Sequence, residues 1–214
     1  MSINVEGRAM NYYVIEYLGG DRGCPDYLKG TLNKDFQWEA YDPDVDKFVI
    51  DAEYEFRAKH TAIDLDFWDG LLCSENFTAL CREFGLEMRL IPVKIIQSNK
   101  IETQKKYFYV LVKDYLSILD VEQSNFRIDL DMETSQPVYD RFFPDQVRYE
   151  AIYKFIVDSK KVGSAGIFKC LDIGAKFVCN QLFKDACNNR KLLGLKFTPI
   201  DESFQVIPFW LKDE

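Results

Sequence analysis

The chain has 214 residues, 47% hydrophobic and 15% aromatic, with a formal charge of -8 at pH 7. A chain of this size and apolar content buries roughly 70 to 75% of its unfolded surface, which excludes a disordered polymer. The acidic balance excludes nucleic acid as a partner, because that affinity comes from Lys and Arg neutralising phosphates. No run of about 18 apolar residues could span a bilayer, so no membrane partner is expected.

Residues 1–10 read as a flexible tail, without the basic start and apolar run of a signal peptide, and the expected location is cytoplasmic. Residues 11–214 read as one domain. The β-branched and aromatic run at 11–18 (Tyr12, Tyr13, Val14, Ile15, Tyr17) predicts a strand ended by Gly19-Gly20. Short strands are predicted at 36–41, 48–51 and 54–59, separated by Asp-Pro and acidic turns.

Ser74 is placed to cap a helix whose residues Phe77, Leu80, Cys81 and Phe84 fall at i, i+3, i+4 and i+7, one apolar stripe. Gly85 supplies a left-handed stop, and Leu86, Met88 and Leu90 alternate with Glu87 and Arg89 as a half-buried strand closed by Pro92. Residues 97–100 are where two halves could meet. Further strands are predicted at 106–113, 126–130, 152–157 and 167–171. A second helix then carries Cys179, Leu182, Phe183 and Ala186 on its stripe, followed by Gly194 and a strand at 195–198.

The unit from Cys73 to Pro92 thus recurs from Cys179 to Pro199: capped helix, glycine stop, strand, proline. Many short strands with two or three helices, including two similar helix-Gly-strand units, indicate an α+β fold with a mainly antiparallel sheet. In each copy the two cysteines lie eight apart on a predicted helix. About 12 Å of rise then separates them, beyond the roughly 7 Å a disulfide spans. They read as buried thiols of a reduced protein.

On these pieces the chain resembles the bacterial immunity proteins of polymorphic toxin systems. The likeness is nearest to the group numbered eleven, formerly a domain of unknown function, with the related group forty-three. The resemblance rests on Tyr12-Tyr13-Val14, on Leu72-Cys73-Ser74-Glu75 with Ile91-Pro92-Val93, and on Tyr107-Phe108-Tyr109-Val110. It continues through Leu119-Asp120-Val121-Glu122-Gln123-Ser124, then Phe177-Val178-Cys179-Asn180-Gln181 with Gly194-Leu195-Lys196-Phe197. The second helix departs from the usual Ser-Glu opening, but Asn180 can also cap. The resemblance implies a non-enzymatic cytoplasmic inhibitor whose partner is a cognate toxin.

The negative charge is concentrated. Between Asp42 and Asp69 nine carboxylates face three cations, Lys47, Arg57 and Lys59, a balance suited to a basic partner surface. Asp64-Leu65-Asp66-Phe67-Trp68-Asp69 has the spacing of a shared-cation motif, yet alternating Asp on a surface strand gives the same letters. It reads better as a docking surface, Asp64, Asp66 and Asp69 steering a partner around an exposed Trp68, with Asp42, Asp44 and Asp46 adding to it. Trp68 as an ordinary core residue is the rival reading.

Asp129, Asp131 and Glu133 would share one face of a strand, solvated rather than catalytic. His60 is the one histidine, and no nucleophile elbow, zinc-helix motif, Cys-x-x-Cys or phosphate loop occurs. No cofactor or metal is expected. The alternatives to an inhibitor are a small carboxylate-dependent hydrolase and a scaffold without inhibitory role. Acids converging in a deep pocket would favour the hydrolase, and a shallow acidic surface the inhibitor.

Overall fold

The computed structural model describes residues 10–20 and 23–211, so the expected tail at 1–10 lies outside the described residues but for Met10. Among the described residues the chain forms β1 (Tyr12–Tyr17), β2 (Gly30–Leu32), β3 (Tyr54–Ala58), β4 (Phe67–Trp68), β5 (Leu72–Ser74), α1 (Glu75–Glu83), β6 (Met88–Ile96) and β7 (Tyr107–Val112). It continues with β8 (Tyr115–Leu116), β9 (Asn125–Ile128), β10 (Tyr149–Lys154), α2 (Ser159–Val162), β11 (Ile167–Cys170), β12 (Lys176–Asn180), α3 (Gln181–Asn189) and β13 (Leu195–Pro199). The fold is α+β and mostly sheet. One sheet runs β13-β1-β12-β11-β8 and another β2-β3-β6-β7-β5-β4, with β9 and β10 as a separate pair. Among the described residues only β3 with β6 and β8 with β11 pair in parallel.

The sequence repeat is a structural repeat. β7 lies antiparallel between β5 and β6, and β1 lies antiparallel between β12 and β13. Ser74 faces Tyr107 at the start of one central strand, and Asn180 faces Tyr12 at the start of the other. Pro92 and Pro199 face their second residues, Phe108 and Tyr13. One constant offset relates Cys73 to Cys179, Ser74 to Asn180, Phe77 to Phe183 and Cys81 to Cys187. The cysteine and phenylalanine pairs meet in a single core, where the Phe77 and Phe183 rings pack edge to face at 6.0 Å. In each copy the first cysteine ends up on the strand and only the second on the helix, and all four of these thiols are buried.

Both helices start as expected. The Ser74 hydroxyl accepts the Phe77 amide at 3.2 Å, and the Asn180 side-chain carbonyl accepts the Phe183 amide at 3.0 Å. The stops are equivalent too, but not at the two glycines the sequence suggests. α1 closes with Leu86 N–H on the Cys81 carbonyl and Gly85 N–H on Arg82, with Gly85 at φ 82°. α3 closes with Leu192 N–H on Cys187 and Lys191 N–H on Asn188, which puts Lys191 at φ 54°. Gly194 lies beyond this stop, where an added Cβ would come within 2.8 Å of the Phe67 carbonyl oxygen. Its glycine serves close packing between the units.

Other expectations are corrected by tertiary context. Leu182 is 63% exposed, because it stands two places after its cap as exposed Asn76 does in α1. Pro92 does not close β6 but lies inside it. It sits one place ahead of Val93, where pairing with β3 begins, so its missing amide hydrogen interrupts no rung there. Residues 36–41 and 48–51 are not strands: the chain crosses the sheet as a loop, laying Phe36 and Trp38 against Tyr54 and Tyr109. Residues 97–100 form the turn from β6 into its partner β7. Asp131 and Glu133 lie in a turn beyond β9, where Asp131 accepts the Glu133 and Thr134 amides.

Candidate functional site

β4 and β5 form a hairpin closed by Leu71 N–H on the Trp68 carbonyl, with Asp69 and Gly70 both at positive φ (47° and 69°). This is the Asp-Gly turn that suits the strand twist of a tight hairpin. The hairpin brings the acidic segment to the seam between the two units, and there its members separate. Asp66 turns inward. It is 2% exposed and accepts the Ser74 hydroxyl (2.6 Å), the Leu193 amide (2.8 Å) and the Lys105 ammonium (3.0 Å). A buried carboxylate with three donors fastens the cap of α1 to the far unit, so Asp66 is not the surface residue expected.

Asp64 is exposed and reaches the same Lys105 at 2.5 Å. Burial works against the charge of Lys105, but hydrogen bonds to Asp64 and Asp66 outweigh it and raise the ammonium's pKa. Trp68 is half-buried and packs on an apolar cluster that includes Tyr54, Leu72 and Tyr109, closer to the core reading than to an exposed anchor. Asp69 is exposed at the turn. The three acids of the motif therefore do not converge on one point.

The other expected acids behave alike. Asp42 is buried, pairs with Lys47 and accepts the Asp44 amide at 2.9 Å. Burial pushes its pKa up, but Lys47 and that amide prevail and hold it below the usual carboxylate value. Asp44 is exposed beside it, and Asp46 is exposed and pairs with Lys113 at 2.5 Å. Asp42 thus works as an internal staple of the loop, while Asp44 and Asp46 present charge outside.

That loop carries Tyr41, 47% exposed and held at φ 69°, over a residue the sequence reading did not single out. Lys169 of β11 is 5% exposed, and its ammonium lies 4.2 Å from the Phe177 ring centroid and 5.8 Å from that of Tyr41. Burial lowers its pKa to about 8, although Cys73 and Asp69 work against the shift. It has no ion pair or side-chain hydrogen bond among the described residues. Lys169 borders two spaces. One is a narrow cavity of about 90 Å³ under the loop, walled by Phe36, Trp38, Tyr41 and Tyr109. The other is an open hollow of about 410 Å³ bordered by Tyr41, Asp69, Gly70 and Phe177. The signal in the sequence was a single charge inside the apolar run Ile167-Phe168-Lys169-Cys170.

A model of the immunity protein family (Imm11) matches residues 54–202. The chain belongs to the Imm11 family. The match takes in the hairpin, both capped helices and Lys169, and begins after the loop that carries Tyr41. Among curated proteins, none matches the chain.

Two further groups in this Imm11 chain are structural. The His60 ring accepts the Lys29 amide at 3.0 Å, tying two surface segments. Buried Asp172 accepts the Ile118 and Leu119 amides (2.6 and 3.0 Å) and the Ser117 hydroxyl (2.7 Å). It organises the entry to the Asp120–Ser124 turn, where Asp120 accepts the Glu122 and Gln123 amides. No group of three or more His, Cys, Asp or Glu among the described residues is placed to hold a metal ion. No helix among them is long and apolar enough to cross a membrane.

Proposed function

We propose that this protein binds a cognate toxin in the cytoplasm and neutralises it by occlusion, without catalysis. The docking face is the seam formed by the loop at residues 36–48 and the β4–β5 hairpin. The observation that carries this reading is the mixed character of that face within an immunity-family chain. Phe36 (50% exposed) and Tyr41 stand out from it, with exposed Asp44 and Asp46 on the same loop, Asp69 at the hairpin turn and Asp64 before β4. Exposed aromatics supply contact area at low entropic cost, and the acids steer and orient a basic partner. Buried Asp42 and Asp66 support the face from below. The Lys113 pair of Asp46 is solvent-screened and available for exchange with a partner's cations, whereas Lys105 is shared between Asp64 and buried Asp66.

The test is to mix the purified chain with toxins encoded beside it, and to measure binding and cell protection with the wild type and a Phe36→Ala/Tyr41→Ala/Asp69→Asn variant. Binding by the wild type, lowered about a hundredfold or more in the variant, supports the reading. Wild-type chain that binds no neighbouring toxin and protects no cell sinks it. Binding that the triple variant leaves unchanged moves the interface elsewhere.

A further inference from the structure

We propose that Lys169 is the floor of a carboxylate-binding subsite in the docking face, which takes one Asp or Glu side chain from an otherwise basic partner surface. This rests on the toxin-binding reading. A lysine 5% exposed is ordinarily matched by an acid, because an unpaired buried charge is costly. Here the nearby acids are committed elsewhere or face outward. Glu16, which borders the hollow, is held by Lys176 (3.1 Å), Lys196 (3.3 Å) and the Thr198 hydroxyl (2.8 Å). Asp42 is held by Lys47. Asp69 is exposed on the turn and forms no ion pair among the described residues.

The ammonium is kept in place by geometry rather than by a counter-ion. It lies over Phe177, and a Cβ on Gly70 would stand 2.8 Å from it, so the glycine at positive φ leaves the space it occupies. The ammonium carries three donors, and Lys169 lines both spaces without a side-chain hydrogen bond among the described residues.

The charge pattern selects the occupant. The floor is positive, and exposed Asp69 stands on the border of the open hollow. A free carboxylate reaches the floor but binds weakly against the repulsion of that rim, whereas a carboxylate surrounded by Lys and Arg on a protein surface satisfies floor and rim together. The aromatic wall of Phe36, Trp38 and Tyr41 would exclude water from the new pair and strengthen it.

The experiment has two arms. In the first, ¹³C-labelled lysine ε-carbons are followed by NMR while butyrate is added at constant ionic strength, with butyramide as the uncharged control. A saturable shift at Lys169 with butyrate alone, absent in a folded Lys169→Met chain, supports the subsite. No shift overturns it whatever any toxin does. In the second, the toxin encoded by the adjacent gene is titrated with wild type and Lys169→Met. Loss of about tenfold or more in affinity, abolished when one toxin Asp or Glu is changed to its amide, supports the partner carboxylate. Equal binding by both chains, with the butyrate shift intact, overturns the partner in favour of a small free carboxylate. If the wild type binds no toxin the docking function itself fails, and the first arm still reports on the subsite.

Discussion

The two repeated units bury opposite charges three places apart in the repeat and treat them in opposite ways. Ser74 N–H bonds to the Asp66 carbonyl just as Asn180 N–H bonds to that of Gly166, so Asp66 corresponds to Gly166 and, three residues on, Asp69 to Lys169. In the first unit the buried charge is Asp66, and it is saturated by Ser74, Lys105 and Leu193. In the second, Asp172 is saturated in the same way, but Lys169 rests on aromatic faces and opens onto two spaces. A saturated charge welds the scaffold together, while an open one leaves free energy to be recovered on binding. The same scaffold thus separates a structural centre from a candidate recognition centre.

The strongest way to break this comparison is to remove each charge. Asp66→Ala should destabilise by about 3 to 5 kcal/mol, since it strands Lys105 and the cap of α1, as urea unfolding would measure. A loss under 1 kcal/mol would mean that Asp66 does not tie the units. Lys169→Met should do the reverse and stabilise the chain near pH 7 by up to about 3 kcal/mol, the cost of holding a cation whose pKa falls from 10.5 to about 8.

The sign follows from proton binding. Between about pH 8 and 10.5 the unfolded chain keeps this proton and the folded chain releases it, so the wild type gains stability with rising pH and the variant's advantage shrinks. Burial also raises Cys73 and Cys81, and Cys187 to about 12. These thiols stay protonated when folded but ionise when unfolded above about pH 9, which lowers the stability of both chains alike. Unfolding the two chains at pH 7, 8.5 and 10 isolates the lysine. An advantage that does not change with pH would contradict the assignment.

Smaller effects sharpen the equivalence of the helix stops. Gly85→Ala should cost about 1 kcal/mol, with nothing within 4 Å of the new Cβ and only the left-handed backbone opposing it. Lys191→Gly should stabilise by up to about 1 kcal/mol at the matching position. The smallest effect belongs to Leu182→Asn, which copies Asn76 and should change stability by less than about 0.5 kcal/mol. A larger loss in thermal unfolding would restore Leu182 to the apolar stripe.

Much of the scaffold was legible because it is written in local terms. Caps, apolar periodicity and β-branched runs placed β1, β7, α1 and the start of α3 within a residue or two, and the repetition of Cys73 to Pro92 revealed the twinned design. The loop at 36–41 was misread because Phe36 and Trp38 have the composition of a strand but cover one instead. Gly194 was misread because a glycine needed for close packing and one needed for a helix stop look the same in sequence.

The candidate site was legible only in outline. Composition located negative charge between residues 42 and 69, but not which carboxylates face outward. That is decided by partners distant along the chain, Leu193 and Lys105 for Asp66 and Lys47 for Asp42. Lys169 stayed hidden because an ammonium becomes a site only when folding strips its water and supplies no acid. The sequence by itself determined the repeated units, their caps and the acidic balance, all set by nearest neighbours along the chain. The tertiary structure alone decided which charges are spent and which remain open, because desolvation and pairing depend on residues that only folding brings together.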